Sequence, residues 1–398
     1  MNPRILAIVL LLPLNLGCGS TLARRAQGSG GGAPATLARL PLHTAGGIPL
    51  VGVLVNGRGP FWFEIDTGFQ NSAIERRLAE SLGLAVGPTQ EVRAPGGSVR
   101  RATVTGAQLR LGNVVVDDPV LSALDVASFA PFYGHRVDGI LGYDFLRRFV
   151  VEIDYESATV LVSQRPEYEY HGSGAVLPVD LSSRQPYVTA SVIQADGRLA
   201  EGRFLLDTGS MDAVNLNGPF AQAHGLTAGK TIAIRGRSVG GETSGVLLRL
   251  HGLLLGPFRI DGPVASVVTD DVDRAGQISG ETLRRFKVIL DYPRQRVILE
   301  RNRHFSEPFE VDMAGLVLVA KGDDLARYEV FLVLDRSPAA EAGLQAGDAL
   351  VELDGAPASN LQLNDLRRRL QMEGVTRRLV FERDGKRRSA NLKLRRLI

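Results

Sequence analysis

The strongest constraint on this chain is an internal repeat. Phe63-Glu64-Ile65-Asp66-Thr67-Gly68 recurs 141 residues later as Phe204-Leu205-Leu206-Asp207-Thr208-Gly209. Asp138-Gly139-Ile140-Leu141-Gly142-Tyr143-Asp144-Phe145-Leu146-Arg147-Arg148-Phe149 recurs as Gly276-Gln277-Ile278-Ser279-Gly280-Glu281-Thr282-Leu283-Arg284-Arg285-Phe286, with Gly142 and Gly280 separated by 138 residues. Val151-Glu152-Ile153-Asp154-Tyr155 recurs as Val288-Ile289-Leu290-Asp291-Tyr292, at a spacing of 137. Three blocks in one order, with a spacing that drifts by a few residues, describe one lobe present twice with small loop deletions.

Each copy reads as β-structure. Ile48 to Val55, Phe61 to Ile65 and Val150 to Ile153 are β-type runs bounded by Gly, Pro and Asn, and Tyr187 to Ile193, Phe204 to Leu206 and Val297 to Leu299 match them in the second copy. The 45 glycines and 20 prolines of this 398-residue chain fit short strands separated by turns. Short helices are expected at Ala73 to Leu82 and Gly280 to Phe286. Glycine-bearing hairpins are expected at Ala94-Pro95-Gly96-Gly97-Ser98 and Ser238-Val239-Gly240-Gly241-Glu242.

One Asp-Thr-Gly is an ordinary turn. Two, each preceded by Phe and two further residues and followed 76 or 73 residues later by an apolar-Gly block, are a specific pattern. Paired carboxyl groups suit hydrolysis, because one activates water while the other donates a proton. Like charges in contact resist double ionisation, so such a pair holds one proton over a range of pH. Glycine after Asp-Thr lets backbone amides approach the carboxylates.

Residues 45 to 300 resemble the retropepsin and pepsin group of aspartic proteases. The resemblance implies two retropepsin-like β-barrel lobes whose Asp-bearing loops meet. It implies Asp66 and Asp207 as the catalytic pair, with Thr67, Gly68, Thr208, Gly209, Ser210, Gly142 and Gly280 supporting the loops. Phe69 departs from the family pattern, which has a small or hydroxyl residue there, whereas Ser210 follows it. Gly96 and Gly97, with Gly240 and Gly241, are flap candidates or simple turns. No metal or organic cofactor is implied.

Beyond residue 305 the repeat ends. Ala314-Gly315-Leu316 and Ser337-Pro338-Ala339-Ala340-Glu341-Ala342-Gly343-Leu344, with Gly347-Asp348, resemble a PDZ domain of bacterial envelope type. That resemblance implies a β-unit with two helices that binds peptides by strand addition, with Gly315 and Leu316 at a ligand's terminal carboxylate. A purely structural cap is the alternative. A helix is expected near Leu363 to Met372, and a strand pair at Arg378 to Glu382 and Ser389 to Leu394.

At the N-terminus, Arg4 precedes an apolar run from Ile5 to Leu12, too short to span a bilayer comfortably, which reads as a secretory signal. Cys18 is the only cysteine and has no internal disulfide partner. The segment resembles a bacterial lipoprotein signal with Cys18 lipidated, although Asn15 stands where Leu is usual. A cleaved signal or uncleaved anchor are the alternatives. All three place the remainder outside the cytoplasm, periplasmic or lipid-anchored to a membrane.

The expected domains are therefore 1–18, a signal or lipoprotein-like segment; 19–40, a flexible linker containing Gly28-Ser29-Gly30-Gly31-Gly32; 41–165 and 166–305, the two lobes; and 306–398, the PDZ domain. A net charge of +3 gives no case for nucleic acid, and Arg367-Arg368-Arg369, Arg377-Arg378 and Lys386-Arg387-Arg388 read as solvated surface. The six histidines show no metal-ligand spacing. Gly236-Arg237-Ser238-Val239-Gly240 has a nucleophile-elbow spelling but falls on an expected hairpin. The functional expectation is an endopeptidase acting on extracytoplasmic polypeptides. The alternative is a catalytically weak or silent scaffold that binds peptides through its PDZ domain.

Overall fold

A computed structural model describes residues 9–10, 36–94, 97–238, 240–268 and 273–398. Cys18, the glycine-rich linker and Gly96 lie outside the described residues. Among the described residues strands account for 49% and helices for 13%, so the fold is mainly β. Two repeated lobes are followed by a smaller C-terminal unit, as expected; the strand order of each lobe's sheet is open at both ends.

In the first lobe, the strand Arg58–Ile65 runs antiparallel to Ile48–Val55 and parallel to Gly139–Leu141. In the second, Leu199–Asp207 runs antiparallel to Tyr187–Ile193 and parallel to Gly276–Ser279. Alternation along these strands turns Phe63 and Ile65 into the large shared core, where Phe204 and Leu206 also lie. Both expected glycine hairpins form. Gln90–Ala94 pairs with Gly97–Thr105, and Thr231–Ser238 pairs with Gly241–Arg249. Ser238 thus ends a hairpin strand. The strand Val9–Leu10 adds to this hairpin through Arg237 and Ser238.

A third sheet joins the lobes. The last block of the repeat pairs with its own copy, Val150–Asp154 against Phe286–Asp291, with Val151 opposite Leu290 and Ile153 opposite Val288. Its flanks are Thr159–Ser163 and Arg296–Arg301, and the sheet ends in Thr36–Pro41 and Ala175–Pro178. Thr36–Pro41 falls in the segment read as linker. Its alternating buried Ala38 and Leu40 give it a strand partner in Thr159–Ser163.

The helices are shorter than their sequence patterns suggest. The stretch from Ala73 opens as the strand Ala73–Glu75 and becomes helical only over Arg76–Ser81. The stretch from Gly280 is helical over Gly280–Leu283, and Phe286 already belongs to the joining sheet. Tertiary pairing overrides local propensity at both places.

The C-terminal unit is a six-stranded sheet with helices Pro338–Glu341 and Leu363–Arg369 around its own core of Leu318, Val330, Leu350, Leu366 and Phe381. Its closing pair is Thr376–Arg383 with Lys386–Lys393. Two residues of the basic runs are not simple solvated charges. Arg377 binds Asp354 at 2.8 Å, and Arg367 donates to the Leu318 carbonyl at 3.0 Å.

Among the described residues no helix is long and apolar enough to cross a membrane.

Candidate active site

Asp66 follows the end of Arg58–Ile65, Asp207 ends the equivalent strand Leu199–Asp207, and the two Asp-Thr-Gly segments meet. Their threonines hold them together by a reciprocal exchange. Thr67 N–H donates to Thr208 Oγ1 at 3.1 Å, and Thr208 N–H donates to Thr67 Oγ1 at 3.0 Å. Each hydroxyl then crosses to the other lobe, Thr67 Oγ1 to the Leu206 carbonyl at 2.6 Å and Thr208 Oγ1 to the Ile65 carbonyl at 2.7 Å. All four groups are buried, so separating the loops would leave donors and acceptors without partners.

Each aspartate accepts a hydrogen bond from the glycine two residues on, Gly68 N–H to Asp66 Oδ1 at 2.7 Å and Gly209 N–H to Asp207 Oδ1 at 2.9 Å. The carboxyl of each lies against the glycine of the other loop. A Cβ on Gly68 would stand 3.0 Å from Asp207 Oδ1, and one on Gly209 would collide with the Asp66 carboxyl. Glycine is required here by proximity. The apolar-Gly blocks back the loops. Gly142 N–H bonds Ser72 Oγ at 3.1 Å, Tyr143 N–H bonds the Phe69 carbonyl at 2.8 Å, and Gly280 N–H bonds the Ser210 carbonyl at 2.8 Å.

Both aspartates are fully buried. Burial, then the charge of Asp207, holds Asp66 well above the usual carboxylate range. Burial pushes Asp207 up to about 6, opposed by the Gly209 amide and the positive charge of Arg274. The pair is therefore arranged to hold one proton between two carboxyls.

The sequence pattern misses two polar residues beside the pair. Gln277 Nε2 donates to Asp207 Oδ2 at 3.0 Å. Ser210, which follows the family pattern, is buried with its hydroxyl unpartnered. Glu64 is fully buried with neither carboxyl oxygen hydrogen-bonded. Burial and the charges of Asp66 and Asp207 keep its proton affinity high. The repeat contains the signal for both. In the strand register Glu64 matches Leu205 and Gln277 matches Ile140, since Ile140 pairs with Glu64 and Leu205 with Gln277. This is a spacing of 137, so that Gly280 matches Tyr143 and not the expected Gly142. Each lobe thus carries one polar residue beside its aspartate, on opposite strands.

Phe69 has a physical reason. It is buried in an apolar cluster with Leu50, Phe129, Phe132, Tyr133 and Val319. The two phenylalanines and Tyr133 lie on a short helical insertion, Ala127–Phe129 and Ala130–Tyr133, in a connection longer than its counterpart in the second lobe. Val319 comes from the C-terminal unit. Phe69 fills this wall, and a small side chain in its place would leave a cavity there.

The hairpin tips approach each other. A Cβ on Gly97 would collide with the Gly240 carbonyl oxygen. Gly241 opens the strand beyond the second tip. Among the described residues no group of His, Cys, Asp or Glu is placed to hold a metal ion.

Comparison with known proteins agrees with this geometry. The aspartyl protease family matches residues 51–145 and, separately, 188–281, and the PDZ domain family matches residues 330–383. A protein of Pseudomonas fulva (strain 12-X), described as a probable periplasmic serine endoprotease DegP-like, is 28% identical over 162 residues. That match covers 36% of this chain and 31% of the relative, so the chain spans under a third of that protein's length. The two lobes of this chain thus belong to the aspartyl protease family, and the unit that follows them is a PDZ domain.

Proposed function

We propose that this protein is an aspartic endopeptidase that hydrolyses peptide bonds of extracytoplasmic polypeptides. The observation that carries the reading is the buried Asp66–Asp207 pair, held by the threonine exchange and arranged to share one proton. The ionised carboxyl would take a proton from water as it attacks the peptide carbonyl. The protonated one would donate to the carbonyl oxygen; as the C–N bond breaks, the proton taken from water would pass to the leaving amine and a hydroxyl proton of the tetrahedral intermediate would return to the other carboxyl. Gln277 would fix the orientation of Asp207, and the loop glycines would admit the amides that orient both carboxyls. The hairpins at Gly96-Gly97 and Gly240-Gly241 would part to admit an extended chain and close to exclude water. An extracytoplasmic location is supported by the apolar N-terminal run and by the relative's description as periplasmic. Cys18 would anchor the mature chain if lipidated. The lobe boundaries proposed are 41–165 and 166–305, with the PDZ domain from 306.

A second reading, lobes that bind peptides but cleave little, is favoured by one observation. Neither aspartate is exposed and the hairpin tips are in contact.

The pH profile separates the two. Below about pH 6 Asp207 is protonated and the pair loses its base. At higher pH Asp66 loses the shared proton and the pair loses its acid. Initial rates on an unfolded polypeptide should therefore trace a bell whose acid limb lies near pH 6. Activity still rising as pH falls to about 4 would contradict this assignment, and absence of cleavage at every pH would favour the second reading.

Gly209→Ala offers an independent check. Its Cβ would displace the Asp66 carboxyl. Cleavage should fall at least about 100-fold, the scale of losing a positioned acid or base, while circular dichroism stays native. A fully active Ala variant would mean that the close approach of the loops is not needed.

A further inference from the structure

A PDZ domain receives a peptide's terminal carboxylate on backbone amides and adds the peptide backbone to the free edge of a strand. In this chain both positions are already served from within. Among the described residues the strand Leu316–Lys321 is an edge strand, paired with Arg327–Val333 alone. At its start, Leu316 N–H donates to Asp312 Oδ1 at 2.8 Å, and the Gly315 and Ala314 amides also reach that carboxylate. Further along the edge, Arg367 of the helix Leu363–Arg369 donates through Nη2 to the Leu318 carbonyl. Burial pushes Asp312 up to about 7, opposed by the Leu316, Gly315 and Ala314 amides and then by the charge of Arg367. Asp312 Oδ2 is buried and has no hydrogen-bond partner among the described residues.

Both lobes pack against the domain around this strand and helix. Gly134, at the end of the lobe-one insertion, abuts Leu363, the first residue of that helix; a Cβ on Gly134 would stand 2.6 Å from Leu363 Cβ. Phe132 packs edge-on against Phe331 with ring centroids 5.6 Å apart. Val319 is buried in the wall that contains Phe69 and Tyr133. Val317 and Leu332 pack with Ile234 and Leu247 of the second lobe's hairpin.

We propose that Asp312 is a built-in ligand of the PDZ domain, its side-chain carboxylate occupying the Ala314–Leu316 amides in place of a peptide's terminal carboxylate while Arg367 occupies the Leu318 carbonyl. This deepens the peptide-binding part of the proposed function by naming what holds the site. The native domain is self-occupied, and an external ligand must be a peptide with a free terminal carboxylate that displaces Asp312. A competitor tethered within the same chain lowers apparent affinity by the fraction of molecules in which the site is free. The aspartate also removes the need for any partner to satisfy these amides, which suits a domain whose sheet is packed against both lobes.

The test measures peptide binding by the full chain in an Asp66→Asn background, so that the result stands whether or not the lobes cleave. Fluorescein-labelled peptides with randomised penultimate residues and a terminal Leu, Val or Phe are titrated by anisotropy, as free acids and as C-terminal amides. The chain with Asp312 intact should bind the free acids weakly and discriminate little against the amides. Asp312→Ala should bind the free acids at least about tenfold more tightly and prefer them over the amides by a similar factor. Equal affinity with and without Asp312 overturns the proposal, as does a folded Ala variant that gains no preference for the acid. If Asp312→Ala fails to fold, Asp312→Asn decides. Its side-chain oxygen keeps a neutral acceptor for Leu316 N–H, so affinity for the free acids should rise by a smaller factor, and no rise overturns the proposal.

Discussion

Replacing either Asp66 or Asp207 by Asn is expected to lower kcat/KM on an unfolded polypeptide by roughly 10^2- to 10^4-fold, the range for losing a positioned acid or base. Asn matches Asp in shape and still accepts the Gly68 or Gly209 amide, so the loops should keep their hydrogen bonds. What disappears is the shared proton. Asp207→Asn should also be more stable than the parent above about pH 6. A carboxyl whose folded pKa lies above its unfolded value, about 3.9 for Asp, contributes stability below that unfolded value and loses it as pH rises through the folded one. For Asp207 the folded value is about 6, so the parent carries its penalty at neutral pH and the Asn variant does not. Thermal unfolding at about pH 7.5 and pH 4 should show the difference in Tm shrink toward acid. Equal cleavage by the parent and both variants would refute the catalytic assignment. Loss in only one variant would leave an enzyme without a working pair.

Arg285→Ala is expected to destabilise the protein by about 3 kcal/mol or more, a consequence of stranding several buried acceptors at once. Arg285 is fully buried. Its guanidinium donates to the Glu281 carbonyl at 3.1 Å, to Glu281 Oε1 at 2.9 Å, to the Pro308 carbonyl at 3.2 Å and to the Glu307 carbonyl. It also stacks 3.5 Å from the centre of the Phe309 ring. These contacts fasten the segment that leads from the second lobe into the PDZ domain. Lys in its place keeps the charge but loses the planar fork, so Arg285→Lys should recover little. The repeat supplies a control. Arg148 occupies the matching position in the first lobe but is exposed, and among the described residues it donates to the Asp144 carbonyl alone, at 3.1 Å. Arg148→Ala should leave Tm unchanged within error, whereas Arg285→Ala should lower it by roughly 10 °C. Equal effects of the two substitutions would show that burial at Arg285 contributes nothing.

Much of the candidate site was legible because its requirements are local. A carboxyl at the end of a strand, a threonine to cross between loops and a glycine where two backbones crowd are each specified within three residues. Their repetition removed the ambiguity of a single turn motif. The glycine hairpins were legible for the same reason, since turn residues between alternating strands define a two-stranded ribbon. Helix lengths were less so. Ala73–Glu75 and Phe286 have helix-compatible neighbours, but each lies beside a strand with unpaired edge groups, and the sheet takes them.

Glu64 and Gln277 show a different limit. Both are visible in the repeat as polar substitutions on apolar strands. Only the parallel pairing of those strands reveals that they sit at paired positions, Glu64 on the strand that leads to Asp66 and Gln277 on the neighbour of the strand that ends in Asp207. Asp312 was harder still. The amides of Ala314–Leu316 could be recognised from the sequence, but their occupant is the side chain just before them, and a side chain's direction is not written in residue spacing.

By itself the sequence determined a duplicated β-lobe, a matched pair of Asp-Thr-Gly loops and a PDZ domain after them, because strand alternation, turn chemistry and close backbone approach act over a few residues. The tertiary structure alone decided which of two identical Leu-Arg-Arg-Phe segments buries its second arginine, why Phe69 is tolerated beside Asp66, and what fills the PDZ amides. Those outcomes depend on burial, and burial is set by segments that lie far away in the chain and close in space.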